Sequence, residues 1–319
     1  MRAQLPLLQP PRYAAVNAVK ADFTGIYRQR DPREYFRVLG SLDYVIPEIA
    51  GAVISQLISE LISRKGRPIT VIDLGCSYGV LSAVMRHGLN MDQLRDRYAS
   101  PSIASLSSER LANCDVSYFA GWPARPDLQV IGLDCSPEAL GYAHRVGLVD
   151  QGLVVDLETS SLDARAQDML AKADLIVSTG VVGYVTEKTF GKLLAAFPAG
   201  REPWVASFVL RAFDYRAISA TLARRGLATE RFASATFVQR RFRDQNEYED
   251  TLRLLQAANI DPAGKESDGL LHAELFLSRP HADAERVGVG QLVSLSSAGA
   301  ARFRHRLRIV TGDDEELAA

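Results

Sequence analysis

The strongest constraint on this chain is an alternation that begins at residue 69. Apolar, largely β-branched runs of strand length recur as ITVIDLG (69–75), LQVIGLD (128–134), GLVVDLE (152–158), DLIVSTG (174–180) and WVASFVL (204–210). Helix-like segments follow them: VLSAVMRHGL (80–89), SPEALGYAHRVGL (136–148), LDARAQDMLAKA (162–173), TEKTFGKLLAAF (186–197) and ISATLARRGL (218–227). Strands that are apolar at nearly every position are covered on both faces, which a parallel sheet between two helix layers provides. An open, doubly wound α/β domain is therefore expected, with ligands bound beyond the carboxyl ends of the strands, where strand order reverses. After residue 227 the pattern changes. ATFVQRRF (235–242) and HAELFLSRP (272–280) read as strands separated by a helix-like EYEDTLRLLQAANI (247–260).

Additions flank this core. Residues 1 to about 45 are irregular, with Pro6, Pro10, Pro11 and Pro32 interrupting any long helix. The apolar pairs Ile49/Ala50, Val53/Ile54, Leu57/Ile58 and Leu61/Ile62 then mark one face of an amphipathic helix that opens near Pro47 and closes at Gly66. A stretch from 89 to 127 breaks the alternation and reads as short helices with Ser and Pro punctuation. The expected organisation is an N-terminal lid and helical segment (1–66), a main domain (67–280) carrying the 89–127 helical insertion, and a C-terminal extension ending in the acidic tail GDDEELAA (281–319).

A net charge of −1 argues against a bulk electrostatic footprint for nucleic acid or an anionic membrane. The Arg240–Arg241–Arg243 cluster is the only local basic patch, and an exposed strand end explains it. Cys76, Cys114 and Cys135 are too few and too scattered for a disulfide framework or a zinc site, which fits a reducing compartment. No signal-peptide-like stretch and no run approaching a membrane span is evident, so a cytoplasmic protein is expected.

The turn after the first strand, Asp73-Leu74-Gly75-Cys76-Ser77-Tyr78-Gly79, narrows the ligand. It lacks the Lys-Ser/Thr pair of a phosphate-binding loop. It also lacks the middle glycine through which a dinucleotide fingerprint lets backbone approach a pyrophosphate. Ser77 stands there, and Asp73 just ahead of it would repel a phosphate and attract a cation.

The Asp-x-Gly-x-x-x-Gly pattern resembles motif I of class I S-adenosylmethionine (SAM)-dependent methyltransferases, whose cofactor carries an ammonium and a sulfonium but no phosphate. That family has a Rossmann-like sheet with an antiparallel last strand, as the change of pattern after strand five would suit. Ser77 departs from the glycine usual there. VIGLDCSPEAL resembles the family's second motif, VVDLE its adenine site, and ADLIVSTGVVGY its motif IV. The resemblance covers about residues 67 to 280. It implies that Asp73 acts through the amino acid end of SAM, with Gly75, Cys76, Ser77 and Gly79 packing against it. Asp134 would take both ribose hydroxyls, with Cys135 beside it. Asp156, or Glu158 in its place, would accept from the adenine amino group over Leu157. Ser178, Thr179 and Gly180 would stand at the tip of strand four. The cofactor would be SAM, leaving as S-adenosylhomocysteine, with no metal.

The sulfonium is already an activated electrophile, so methyl transfer needs chiefly a nucleophile held in line and partly desolvated. Tyr184, in the loop after motif IV, is the candidate catalytic residue. Tyr35, Tyr44, Arg211 and His272 are candidate acceptor contacts, Arg211 pairing with an acceptor carboxylate or with Asp214. Tyr27 and Phe36 join Tyr35 and Tyr44 as aromatics able to cover the site. Cys76 and Cys135 are read as small buried packing residues. A small-molecule or peptide-like acceptor, held between the N-terminal segment and the 89–127 insertion, is expected. Nucleic acid and membrane are disfavoured as partners, and the family's helical additions point to a homodimer. Two other readings remain: a methyltransferase-fold partner subunit without turnover, and an NAD-linked oxidoreductase, against which Ser77 and the early last glycine argue.

Overall fold

A computed structural model describes residues 23–295; the acidic tail and the first part of the expected lid lie outside them. An eight-stranded sheet runs in the order β3-β2-β1-β4-β5-β8-β6, with β7 also paired to β8. Its strands are β1 (Ile69–Leu74), β2 (Leu128–Asp134), β3 (Gln151–Val154), β4 (Leu175–Thr179), β5 (Trp204–Leu210), β6 (Leu227–Arg231), β7 (Phe237–Arg241) and β8 (Leu270–Pro280). The first five are parallel, and β8 runs antiparallel to β5, β6 and β7. This is the doubly wound, Rossmann-like sheet with an antiparallel strand near its end.

Alternate strand residues feed two separate cores, as a sheet covered on both faces requires. Ile69, Val71 and Val130 enter one core with the helix Ile46–Lys65, whereas Ile72, Leu74 and Ile131 enter the other. The chain-order helices are α1 (Thr24–Tyr27), α2 (Arg33–Gly40), α3 (Ile46–Lys65), α4 (Val80–His87), α5 (Met91–Ala99), α6 (Pro101–Ala104), α7 (Ser108–Ala120), α8 (Pro137–Arg145), α9 (Ala164–Leu170), α10 (Glu187–Ala195), α11 (Arg216–Ala223), α12 (Gln245–Ala257), α13 (His281–Arg286) and α14 (Val289–Leu292). By length and composition α3 would pass for a membrane-crossing helix, which the sequence reading did not anticipate. Here Ile54, Leu57 and Ile58 are fully buried in the core, and Gly66 closes the helix at φ 62°.

Three other features differ from expectation. The third strand stops at Val154, because Asp156 turns the chain: its side chain accepts from the Glu158 N–H at 2.9 Å and from Thr159 Oγ1 at 3.0 Å. A strand, β6, follows α11, and β6 and β7 lie end to end along β8 as one interrupted edge. Arg240 is no part of a basic patch. It is buried at 1% exposure, with Nη1 and Nη2 held by Glu247, 2% exposed, at 2.8 and 2.6 Å. Its neighbours pair as well, Arg241 with Asp43 and Arg243 with Asp244.

Removing one member of a buried pair leaves an uncompensated charge, whereas replacing both does not. Glu247→Ala is expected to lower the unfolding free energy by about 3–5 kcal/mol, read as a lower urea midpoint. Arg240→Met combined with Glu247→Leu is expected to recover most of that loss.

Candidate functional site

The order of strands reverses at β1, which lies between β2 and β4. A cavity of about 460 Å³ opens there beyond the strand ends, within the ~300–1,000 Å³ typical of small-molecule sites. Its floor is Asp73 to Ser77, Leu133 to Ser136, Val155 to Leu157, and Thr179 to Val181 with Tyr184. Its roof comes from the N-terminal segment, including Phe23, Tyr27, Tyr35 and Tyr44, and Gln239 and Arg240 close one side.

Backbone shape makes the floor possible. Gly75, Ser77 and Gly79 all have left-handed φ, at 76°, 50° and 76°. A Cβ on Gly75 would lie 2.7 Å from Val181 Cγ2, so glycine lets β4's loop pack over the turn. Ser77 adopts a conformation that costs most L-residues about 1 kcal/mol. The Leu133 carbonyl accepts from the Gly75 N–H at 2.7 Å, tying the turn to β2. Asp134 completes the tie: its two oxygens accept from the backbone N–H groups of Ser77 and Ser136, each at 2.8 Å. A carboxylate has about four acceptor sites, so these two bonds leave Asp134 with acceptor capacity, towards which the Cys135 N–H and thiol also point, while it fixes two loops. Ser136 Oγ caps α8 through the Ala139 N–H at 3.2 Å.

Burial sets the charge states. Asp73, 1% exposed, has its carboxyl pushed up to about 7 by desolvation; Ser82 Oγ, donating at 3.3 Å, favours the charged form and the nearby Asp134 opposes it. Asp134 is likewise raised by burial, against the backbone N–H groups that favour its charged form. Burial lifts the phenols of Tyr27, Tyr35 and Tyr44, so they remain protonated donors at neutral pH. Both lining cysteines are inert thiols at neutral pH. Burial pushes Cys76 well up. Cys135 is exposed and not buried as the sequence suggested, but partial desolvation of its thiol and the neighbouring Asp134 and Asp156 push it to about 11.

The floor, the adenine-site pair and Tyr184 thus converge on one cavity, together with Tyr35 and Tyr44. Other expectations do not meet there. Gly79 lies outside the lining, where its missing Cβ makes room for Leu148 and Ala143, 2.9 and 3.1 Å from the position a Cβ would take. Arg211 lies outside the cavity lining, its guanidinium held by Glu266 at 2.5 Å and by the Asp261 carbonyl at 2.7 Å, while Asp214 pairs with Arg216 instead. His272 is buried outside the lining; its Nδ1 meets Thr236 Oγ1 at 3.0 Å, and burial and Arg211 hold it down at about 4. Ser178 points away to Ser207 Oγ at 3.0 Å, leaving Thr179 and Gly180 at the tip of β4. Glu158 is structural, taking the Thr186 N–H and both threonine hydroxyls of α10's first turns at 2.7–2.8 Å.

The insertion also has another role than expected. No residue of 89–127 lines the cavity. It buttresses the roof instead. Arg33 pairs with Asp31 and donates from Nη1 to the carbonyls of Ile103, Ala104 and Leu106 at 2.9–3.3 Å. Phe36, which does not line the cavity either, stacks on Tyr98 at 4.6 Å. The Tyr98 and Tyr142 hydroxyls share a 2.7 Å hydrogen bond beside buried Asp115, joining the insertion to α8. The roof is bound to the floor by Tyr78, whose hydroxyl sits between the carbonyls of Ile26 and Gln29 at 2.7 and 2.9 Å, and by Ser136 Oγ, which donates to the Tyr27 carbonyl at 2.6 Å. Sequence reasoning missed Tyr78, Ser136 and Gln239. Tyr78 and Ser136 stand inside quoted motifs, but only long-range contact reveals their function.

No family model and no curated protein matches this chain. Among solved structures it is similar to a TehB-like SAM-dependent methyltransferase from Corynebacterium glutamicum (16% identity, 68% of this chain and 85% of that chain, TM-score 0.34). It is also similar to magnesium protoporphyrin IX methyltransferase from Synechocystis with bound SAM (12% identity, 88% and 100%, TM-score 0.37), and to plantazolicin methyltransferase in complex with S-adenosylhomocysteine (13%, 83% and 99%, TM-score 0.37). Likeness at this level leaves the functional reading to the geometry of the cavity.

Removing the Tyr78 hydroxyl takes away the single O–H donor that the Ile26 and Gln29 carbonyls share. Tyr78→Phe is expected to speed amide hydrogen exchange across residues 24–40 by about tenfold, from the loss of roughly 1–2 kcal/mol of local protection, with β1 and β4 unchanged.

Proposed function

We propose that this chain is a SAM-dependent methyltransferase acting on a small-molecule or peptide-like acceptor. One observation carries the reading: a single cavity at the reversal of strand order gathers Asp73, the glycine turn, Asp134 with free acceptor capacity, and the Asp156–Leu157 corner. Each matches a different part of one ligand, and no part of that set suits a phosphate. SAM would supply a methyl group on a sulfonium, an electrophile needing no further activation. Asp134 would accept from the two ribose hydroxyls with the lone pairs that Ser77 and Ser136 leave free. Asp73 would face the α-ammonium. Leu157, 2% exposed, would lie against the adenine, with Asp156 at its amino edge. Ser77 Oγ, buried without a partner among the described residues, would be available to the amino acid end. The roof would limit the access of water to the nucleophile, and Tyr184 stands at the cavity wall where an acceptor would be oriented.

Calorimetric titration with SAM and S-adenosylhomocysteine tests the reading. Binding in the micromolar range is expected, and Asp134→Ala should weaken it at least about 30-fold, the loss of two charge-assisted hydrogen bonds at roughly 1–2 kcal/mol or more. Absence of binding by the folded wild-type protein rejects the proposal.

The pH dependence follows from Asp73. Its carboxyl, at about 7 in the folded protein, must be ionised to meet an ammonium, so cofactor binding releases a proton. Affinity is expected to be full above pH 7 and to fall by up to about tenfold per pH unit below it. Asp73→Asn should bind more weakly at pH 8 with a flat profile between pH 5.5 and 8. Persistence of the same slope in that variant would assign the titration to another group.

A further inference from the structure

Gln239 presents a polar atom that none of the described residues engages. The residue is 4% exposed, lines the cavity, and its Oε1 has no hydrogen-bond partner among the described residues. A buried carbonyl acceptor left unmade costs about as much as a lost hydrogen bond, so such atoms are usually found where a ligand supplies the donor. The fold makes room for this amide. It stands beside Gly180 at the tip of β4, where a Cβ would come within 3.0 Å of Nε2. The backbone of Gln239 is also the root of the roof, since its carbonyl accepts from the Val45 N–H at 3.0 Å.

The surrounding wall restricts what that ligand is. Tyr35 stands edge-on to both Tyr27 and Tyr44, with ring centroids 5.9 and 6.2 Å away, and all three line the cavity. Such an array suits a flat aromatic guest better than an aliphatic or highly hydrated one. The guanidinium beside Gln239, that of Arg240, is already neutralised by Glu247, and the other arginine lining the cavity, Arg28, is exposed to solvent, so among the described residues this wall offers no buried, unpaired cation to a carboxylate or phosphate. Gln239 lies on β7, across from the β1–β2–β3 loops to which the cofactor is assigned.

We infer that Gln239 is the residue that recognises the acceptor, and that the acceptor is an uncharged aromatic or heteroaromatic molecule donating an O–H or N–H to Gln239 Oε1. This rests on the methyltransferase reading of the cavity. Gln239 is a specificity residue; the methyl acceptor atom is either that donor or a neighbour of it.

Three probes of one shape test the inference: 2-naphthol, with a donor; 2-methoxynaphthalene, without one; and 2-naphthoate, an anion. Each is titrated by fluorescence into the protein, alone and saturated with S-adenosylhomocysteine. The wild type should bind 2-naphthol at least about tenfold more tightly than either other probe, the scale set by one buried acceptor satisfied or not. In Gln239→Leu and Gln239→Met the preference over 2-methoxynaphthalene should vanish, with S-adenosylhomocysteine affinity unchanged within twofold. Thermal melts identify whichever variant is folded. No 2-naphthol binding, tighter binding of 2-naphthoate, or a preference that survives both substitutions overturns the inference. A fall in S-adenosylhomocysteine affinity in the variants also overturns it, by giving Gln239 to the cofactor. Should the wild type bind no S-adenosylhomocysteine, the methyltransferase reading fails by itself, and the titrations without it still decide whether Gln239 selects a donor.

Discussion

The site is organised around one carboxylate. Asp134 ends β2 and accepts from the backbone of Ser77, in the turn after β1, and from that of Ser136, at the start of α8. Two loops from neighbouring strands are thereby held at a fixed separation by a group that still has lone pairs to offer. The arrangement explains why Ser77 tolerates a left-handed backbone: its N–H is needed at the carboxylate, and the φ of 50° delivers it. Replacing Asp134 would therefore disturb both the proposed ligand contact and the shape of the turn.

Everything above that floor depends on contacts from far along the chain. The N-terminal segment would have little to hold it as a roof on its own, since α1 and α2 are short. Tyr78 and Ser136, both belonging to floor loops, bond to its backbone, so roof and floor share attachment points. From outside, Arg33 and Phe36 lean on the insertion, and the insertion leans on α8 through Tyr98 and Tyr142. Ligand binding that shifts the Ser77–Tyr78 turn would be felt directly by the roof. That coupling is geometric, arising from a hydroxyl shared between two carbonyls.

The sheet and the floor were largely legible in the sequence because they rest on local patterns. ITVIDLG and WVASFVL are apolar at most positions and became β1 and β5, and the four-residue repeat from Ile49 to Ile62 became α3. The edge was not legible: LATER carries one buried residue, Leu227, followed by partly buried and exposed ones, so β6 has no apolar signature. Arg240 read as part of a basic cluster because its partner Glu247 lies beyond a turn, at the start of α12. Arg211 and His272 were misplaced for a related reason. Their positions near strand ends suggested a site, but Glu266 and Thr236 engage them first. The insertion's role was invisible, since its contacts with Asp31 and Arg33 span some 70 residues of sequence.

The most direct test is a crystal structure of the protein grown with S-adenosylhomocysteine. The account predicts the ribose hydroxyls on Asp134, the adenine against Leu157, and the vacated methyl position facing the tyrosine-lined chamber beside Gln239. Density for the ligand anywhere else, or a ribose that makes no contact with Asp134, would contradict it.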